Sequence, residues 1–123
     1  MIIGIGIDQV LIERIQKVSP KVLERFCTPA EREYCERFGE GRYERYAGRF
    51  AAKEAISKAL GTGLSQGIGW QDMEILPTPS GAPEAHLHNA ALLRADRLGA
   101  KRILISITHD RVTASAMALL ESE

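Results

Sequence analysis

Two side chains suited to phosphate chemistry lie one helical turn apart in this chain of 123 residues. Glu54 and Lys58 are separated by four positions within residues 49–61, a run that predicts a helix, so both project from one side of it. A carboxylate is a ligand that Mg²⁺ accepts, together with water and the phosphate oxygens of a substrate. An ammonium group beside it can neutralise a phosphate oxygen. The pair therefore predicts metal-assisted chemistry on a phosphate.

Asp8 is a second candidate metal ligand. It follows an apolar run in which isoleucine alternates with glycine over residues 3–7. A period of two predicts a strand with one apolar face, and the glycines leave its other face open to a close neighbour. We expect Asp8 at the end of this strand, where it and Glu54 together match the sparse set of protein carboxylates around Mg²⁺.

Each of these residues also has an ordinary structural explanation. Glu54 and Lys58 can form an i,i+4 salt bridge, which contributes about 0.2–0.5 kcal/mol. Asp8 can cap the turn that follows its strand. The alanines around Glu54 and Lys58 weigh against a simple surface bridge, because they leave space where an exposed helix would carry longer side chains.

Basic residues recur on the same predicted helix. Arg42, Arg45 and Arg49 are three and four positions apart, which places them on one side. They are either a solvated face or a clamp for phosphate or for an acidic protein. Arg14 is a further, isolated candidate.

His109 follows the β-branched run of residues 102–108, at the end of a predicted strand. Functional side chains are common on the loops that begin at strand ends. An imidazole can bind phosphate when it is charged, or transfer a proton. His109 is therefore a candidate for either role.

The remaining pattern predicts the elements that position these residues. A helix starts at Thr28, whose hydroxyl and Glu31 form a capping box, and runs to about Phe38. A long helix runs from about Tyr43 to Leu60, and a later one, capped by Asn89, to Leu98. Strands are predicted at residues 70–76, 84–88, 102–108 and 112–120. This order predicts a single α+β domain over residues 1–123, with an antiparallel sheet and helices packed on one side.

Composition bounds the class of protein. Sixteen basic residues balance sixteen acidic ones, so net charge indicates no nucleic acid partner. Residues 14–58 carry eleven Lys or Arg against seven Glu, a basic region suited to an acidic partner or a polyphosphate. Cys27 and Cys35 are expected to be free thiols in a reducing compartment. We expect no membrane span and no signal peptide, and therefore a cytoplasmic protein.

At the level of motifs, the chain resembles the holo-[acyl-carrier-protein] synthase family, the short bacterial 4′-phosphopantetheinyl transferases. The resemblance is carried in order by residues 4–8, 25–34, 45–61, 80–83 and 106–110. Its most specific parts are G-I-D at residues 6–8 and F-x-x-K-E-A-x-x-K at residues 50–58. It implies that coenzyme A donates its 4′-phosphopantetheine arm to a serine of apo-acyl carrier protein, releasing adenosine 3′,5′-bisphosphate, in fatty acid biosynthesis.

The resemblance also implies roles for individual residues. Mg²⁺ is the expected cofactor, with Asp8 and Glu54 as its ligands. Lys58 faces the pyrophosphate, and His109 contacts a phosphate of coenzyme A. The implied coenzyme A contacts further include Arg49, Gly81 and Pro83, and the implied contacts to the carrier protein are Arg14 and Arg25.

Short members of this family form homotrimers with active sites between subunits. The resemblance therefore implies that Asp8, Glu54 and His109 need not converge within one chain. The attacking serine must lose a proton, and we expect Glu54, directly or through a metal-bound water, to be the base.

Two other functions fit the same residues. A metal-dependent pyrophosphohydrolase of nucleotides would release phosphate from coenzyme A without a carrier protein. A non-catalytic trimer subunit would bind nucleotide or an acidic protein, but it has no need of Asp8, Glu54 and Lys58 together. A dinucleotide-binding domain is not supported, because Gln9 stands where the third glycine of that fingerprint belongs.

Overall fold

The computed structural model describes residues 1–123 and contains five β-strands, five α-helices and two short 3₁₀ helices. In chain order the strands and α-helices are β1 (Ile2–Leu11), α1 (Ile12–Gln16), α2 (Pro20–Phe26), α3 (Pro29–Glu36), α4 (Arg42–Ala59), β2 (Met73–Pro77), β3 (Pro83–Leu87), α5 (Asn89–Leu98), β4 (Arg102–His109) and β5 (Thr113–Glu121). The 3₁₀ helices are Gly39–Gly41 and Trp70–Asp72. This confirms the predicted α+β class.

Three strands form the main sheet, in the order β1-β5-β4, and both pairings are antiparallel. Strands β2 and β3 form a separate antiparallel hairpin. Helix α4 covers one face of the main sheet, as predicted, and the other face carries exposed apolar side chains. They are Ile5, Ile7, Leu104 and Met117.

Helix α4 rests directly on the backbone of β1. A Cβ atom added to Gly6 would lie 1.9 Å from the carbonyl oxygen of Ala55, and one added to Gly4 would lie 2.3 Å from that of Ala59. The predicted close approach to the glycine face is therefore confirmed, and the neighbour is the helix that carries Glu54.

We expect Gly6→Ala to lower the free energy of unfolding by about 1–3 kcal/mol, because its methyl group overlaps a helix backbone atom that cannot simply rotate away. Urea denaturation measures the loss. Gly69→Ala is the matched control, since the nearest heavy atom to its added Cβ is Asp72 Oδ2 at 3.8 Å, an ordinary contact. Equal losses in the two variants would contradict this account of the glycine face.

A buried ion pair joins α4 to α3 and β2. Lys53 Nζ lies 2.7 Å from Glu31 Oε1 and donates to the carbonyl of Trp70 at 3.0 Å. Both side chains are fully buried. Glu31 also accepts the backbone amides of Thr28 and Ile75, each at 2.9 Å, so its carboxylate has partners at the N-cap of α3, on α4 and on β2. The predicted capping box of Thr28 and Glu31 is confirmed.

Three predicted boundaries are wrong. Helix α3 ends at Glu36 and not at Phe38, because the chain turns into the Gly39–Gly41 3₁₀ helix. Trp70–Asp72 is a 3₁₀ helix, so β2 begins three residues later than expected. Asn89 does not cap α5. It is the first helical residue, at φ 50°, and its side chain donates to Asp72. None of the helices has the length and apolarity needed to cross a membrane.

Both cysteines are free, as predicted, and completely buried. Burial raises the pKa of the Cys35 thiol to about 12 and that of Cys27 further still. Thiolate is the reactive form of cysteine, so these side chains are inert parts of the core.

Candidate functional site

Asp8, Glu54 and Lys58 meet where α4 crosses β1. Lys58 Nζ lies 3.1 Å from Asp8 Oδ1 and donates to the carbonyl oxygen of Ile7 at 3.0 Å. The i,i+4 salt bridge between Glu54 and Lys58 does not form, because the ammonium turns to the strand instead. The carboxylate of the strand and the two side chains of the helix therefore form one group within a single chain.

Asp8 lies inside β1, not at its end as predicted, because pairing with β5 continues to Leu11. Side chains alternate between the faces of a strand, so Asp8 shares the helix-facing side with Gly6. The missing side chain at Gly6 is what brings α4 close enough for Glu54 to lie near Asp8.

The pKa of Glu54 reflects its position beside Asp8 and Lys58. Its burial, and next the negative charge of Asp8, raise the pKa of the Glu54 carboxyl above its usual range, while Lys58 acts in the opposite direction. Two neighbouring carboxylates in a partly buried position favour a cation between them. No group of three or more potential ligand side chains occurs in the chain. The available donor set is thus two carboxylates, which suits an ion that keeps waters and phosphate oxygens as its other ligands.

A second polar site is a cavity of about 160 Å³ between the first turns of α4 and the end of β4. It brings together four residues that the resemblance assigned to coenzyme A, namely Arg49, Gly81, Pro83 and His109. The full lining is Tyr34, Glu44, Arg45, Gly48, Arg49, Gly81, Pro83, Ile107 and His109. Asp8, Glu54 and Lys58 are not part of it.

Arg49 is the most unusual side chain of this cavity. It is only 6% exposed, and its guanidinium stacks 4.4 Å above the ring of Tyr34. Its buried Nε has no hydrogen-bond partner, and no carboxylate lies within salt-bridge distance. A buried cation without a counter-charge is costly, so Arg49 is poised to receive an anion.

His109 and Arg45 share one carboxylate at the mouth of the cavity. Glu44 Oε2 lies 3.3 Å from His109 Nδ1 and 3.4 Å from Arg45 Nη1. Arg42, the third member of the predicted arginine face, turns away and donates to Tyr43 and Gly39. The structure therefore brings together two of the three arginines.

The two sites lie side by side on the helix-covered face of the sheet. Asp8 pairs with Ala116, and Ala116 pairs with Ile107, which lines the cavity. Two strand spacings separate Asp8 from Ile107, or about 10 Å between Cα atoms. Helix α4 spans the same gap, since Arg49 and Glu54 are about 7.5 Å apart along its axis. One ligand with several phosphates can reach both sites.

Arg14 and Arg25 lie apart from both sites, on α1 and α2. Both are exposed, and neither forms an ion pair within the chain. Their charges are therefore available to an acidic partner.

Four cavity residues were not predicted from the sequence: Tyr34, Glu44, Gly48 and Ile107. The sequence does contain an indication for Glu44 and Gly48. They are four positions apart and each immediately precedes an arginine of the pair Arg45 and Arg49, which has the same spacing, so all four lie near one side of the helix. Gly48 is needed where α4 meets β4, since a Cβ there would lie 2.9 Å from Ile107. Tyr34 reaches the cavity from α3, and no local spacing indicates that.

Comparisons with known proteins agree with this geometry. A family model of the 4′-phosphopantetheinyl transferase superfamily matches residues 4–116. A relative from Solibacter usitatus, named holo-[acyl-carrier-protein] synthase, is 43% identical over 126 residues, which are 99% of this chain and 100% of the relative. Another of that name, from Desulforudis audaxviator, is 46% identical over 129 residues, covering 100% of this chain and 97% of the relative.

Solved structures are similar over the whole fold. The holo-(acyl-carrier-protein) synthase of Bacillus anthracis, in complex with coenzyme A (3′,5′-ADP), has a TM-score of 0.85 and 36% identity, covering 100% of this chain and 99% of that one. The Helicobacter pylori enzyme, in complex with coenzyme A, has a TM-score of 0.82 and 35% identity, covering 95% and 99%.

Proposed function

Because the chain belongs to the 4′-phosphopantetheinyl transferase superfamily, we propose that it is a holo-[acyl-carrier-protein] synthase. It transfers 4′-phosphopantetheine from coenzyme A to a serine of apo-acyl carrier protein and releases adenosine 3′,5′-bisphosphate. The observation that carries the proposal is the meeting of Asp8, Glu54 and Lys58 at the crossing of α4 and β1. This group lies beside a cavity that holds an unpaired, buried arginine.

The transfer makes one bond and breaks one bond. The serine oxygen forms a bond to the phosphorus that carries pantetheine, and the bond from that phosphorus to the bridging oxygen of the pyrophosphate breaks. Glu54 takes the serine proton, since its raised pKa suits a base. Lys58 neutralises charge on the pyrophosphate, and the adenosine 3′,5′-bisphosphate leaves with the bridging oxygen.

Asp8 and Glu54 are the residues that would hold Mg²⁺, because they are two partly buried carboxylates with no third protein ligand nearby. When bound, the ion supplies positive charge against the transferring phosphoryl group. Lys58 already contacts Asp8, so its ammonium neutralises part of the negative charge of Asp8 and Glu54 when no metal is bound.

The cavity is the proposed subsite for a phosphate and adjoining parts of coenzyme A. Arg49 supplies the unpaired donors, and His109 lies across from it at the end of β4. Gly81, in the turn before β3, and Pro83, the first residue of β3, line the same cavity.

Two surfaces support the proposed partners. Arg14 and Arg25 present positive charge to the carrier protein, which we expect to be acidic. The exposed apolar face of the main sheet, formed by Ile5, Ile7, Leu104 and Met117, is suited to burial in a homotrimer. We place the protein in the cytoplasm, in fatty acid biosynthesis.

Mass spectrometry tests the activity. We expect apo-acyl carrier protein to gain the mass of phosphopantetheine when it is incubated with this protein, coenzyme A and Mg²⁺. Excess EDTA should abolish the gain, because two carboxylates and Lys58 alone do not neutralise the transferring group, and added Mg²⁺ should restore it. A mass gain that persists unchanged in EDTA would contradict the proposed requirement for Mg²⁺. Phosphate release from coenzyme A without any carrier modification would instead indicate a pyrophosphohydrolase.

A further inference from the structure

Glu44 is the one acidic residue in a cavity that is also lined by three basic side chains. Arg45, Arg49 and His109 line the cavity with it. A single oxygen of Glu44, Oε2, faces both His109 at 3.3 Å and Arg45 at 3.4 Å. Its side chain is 30% exposed, so water can reach it.

Both contacts of this carboxylate are loose. Charge-assisted bonds between nitrogen and carboxylate oxygen are usually about 2.7–2.9 Å long. The contact to His109 does not meet hydrogen-bond geometry, and Arg45 also donates to Gly41 and stacks 4.0 Å from the ring of Phe38. Glu44 therefore lies near His109 and Arg45 without a short, well-aligned hydrogen bond to either.

Arg49 provides an independent sign that the cavity takes an external anion. Its Nε is buried and has no partner, although Glu44 lies on the same helix. If Glu44 were the intended counter-ion of the cavity, the deepest cation would pair with it. Instead the carboxylate remains at the mouth and leaves Arg49 unpaired.

We infer that Glu44 is a built-in competitor at the phosphate subsite, which limits the affinity for coenzyme A and for the bisphosphate product. This inference rests on the proposed function. With the subsite empty, the carboxylate lies against His109 and Arg45. A bound phosphate takes over the same donors with more acceptor oxygens, and the displaced carboxylate remains close enough to repel it. Coenzyme A and adenosine 3′,5′-bisphosphate both carry the phosphate that binds this subsite. The repulsion from Glu44 therefore weakens binding of both molecules and favours release of the bisphosphate product.

The test is Glu44→Gln, which keeps the size and an acceptor oxygen but removes the charge. We expect adenosine 3′,5′-bisphosphate to bind about tenfold more tightly in calorimetry at low ionic strength, with a smaller gain at high salt. The KM for coenzyme A should fall by a similar factor, and kcat should not rise, because uniform tightening does not favour the transition state. A purely structural role for Glu44 would instead weaken binding of the bisphosphate and raise the KM for coenzyme A.

Glu40→Gln is the matched control, since Glu40 precedes α4, is exposed and has no ion pair. It should leave both constants unchanged. If the wild type binds the bisphosphate and Glu44→Gln binds it no more tightly than Glu40→Gln does, the inference is wrong while the proposed function stands. If the wild type neither binds it nor modifies the carrier protein, the proposed function fails, and the inference fails with it.

Discussion

Glu54→Gln is expected to reduce transfer of phosphopantetheine by at least about 100-fold, because one substitution removes both a proposed metal ligand and the proposed base. The fold should survive. Burial and Asp8 raise the pKa of Glu54, so ionising this carboxyl costs more free energy in the folded chain than in the unfolded chain. A neutral amide at this position relieves that conflict. The mass of the carrier protein over time measures the activity, and thermal unfolding measures the stability.

In the absence of metal, the stability of Glu54→Gln is expected to depend on pH differently from that of the wild type. A group whose pKa is raised by folding binds its proton more tightly in the folded state, so its contribution to stability is present in acid and is lost as pH rises through that pKa. The wild type should therefore lose stability relative to Glu54→Gln between acid and neutral pH. Glu40→Gln is the control, because Glu40 is exposed and forms no ion pair. A variant that kept full turnover with Mg²⁺ bound would show that Glu54 is not the base.

Lys53→Met is expected to lower the free energy of unfolding by about 3–5 kcal/mol, although Lys53 touches neither site. Removing one partner of a buried ion pair leaves the other charge buried and uncompensated. Here the remaining charge belongs to Glu31, which is completely buried. Urea denaturation followed by circular dichroism measures the loss.

Lys17→Met is the matched control, since Lys17 pairs with Glu13 at 2.8 Å but both side chains are more than two-thirds exposed. Its effect should stay below about 1 kcal/mol. Adding Glu31→Gln to Lys53→Met should recover part of the stability, because a neutral side chain replaces the stranded charge and can still serve the capping box. Equal losses for the two methionine variants would contradict the importance of the buried pair.

Lys53 also shows which part of the fold local pattern does not determine. The sequence predicts α4 well, since alanine and charged residues favour a helix there and Gly61 follows it. The sequence does not predict that Lys53, a charged residue within this helix, is fully buried. That depends on Glu31, 22 positions away, and on the carbonyl of Trp70, and these meet Lys53 only once α3 and β2 are in place.

The candidate site divides in the same way. Spacing along one helix correctly places Glu54 and Lys58 on one side, and the alternation of isoleucine and glycine correctly indicates that something approaches β1. Spacing alone also allows the Glu54–Lys58 bridge, which the structure replaces with a contact from Lys58 to Asp8, 50 positions away. Glu44 was missed because a charged residue in the first turn of a helix needs no special explanation.

The position of Lys58 has a consequence for self-association. Strand β1 is an edge of the main sheet, and an uncovered edge invites pairing with the strand of another molecule. Lys58 Nζ holds the outward carbonyl of Ile7 at 3.0 Å, beside the exposed side chains of Ile5 and Ile7. A lysine on an apolar edge is a common natural safeguard against such pairing. The ammonium that we propose as a phosphate contact thus also occupies one of the free pairing groups of this edge strand.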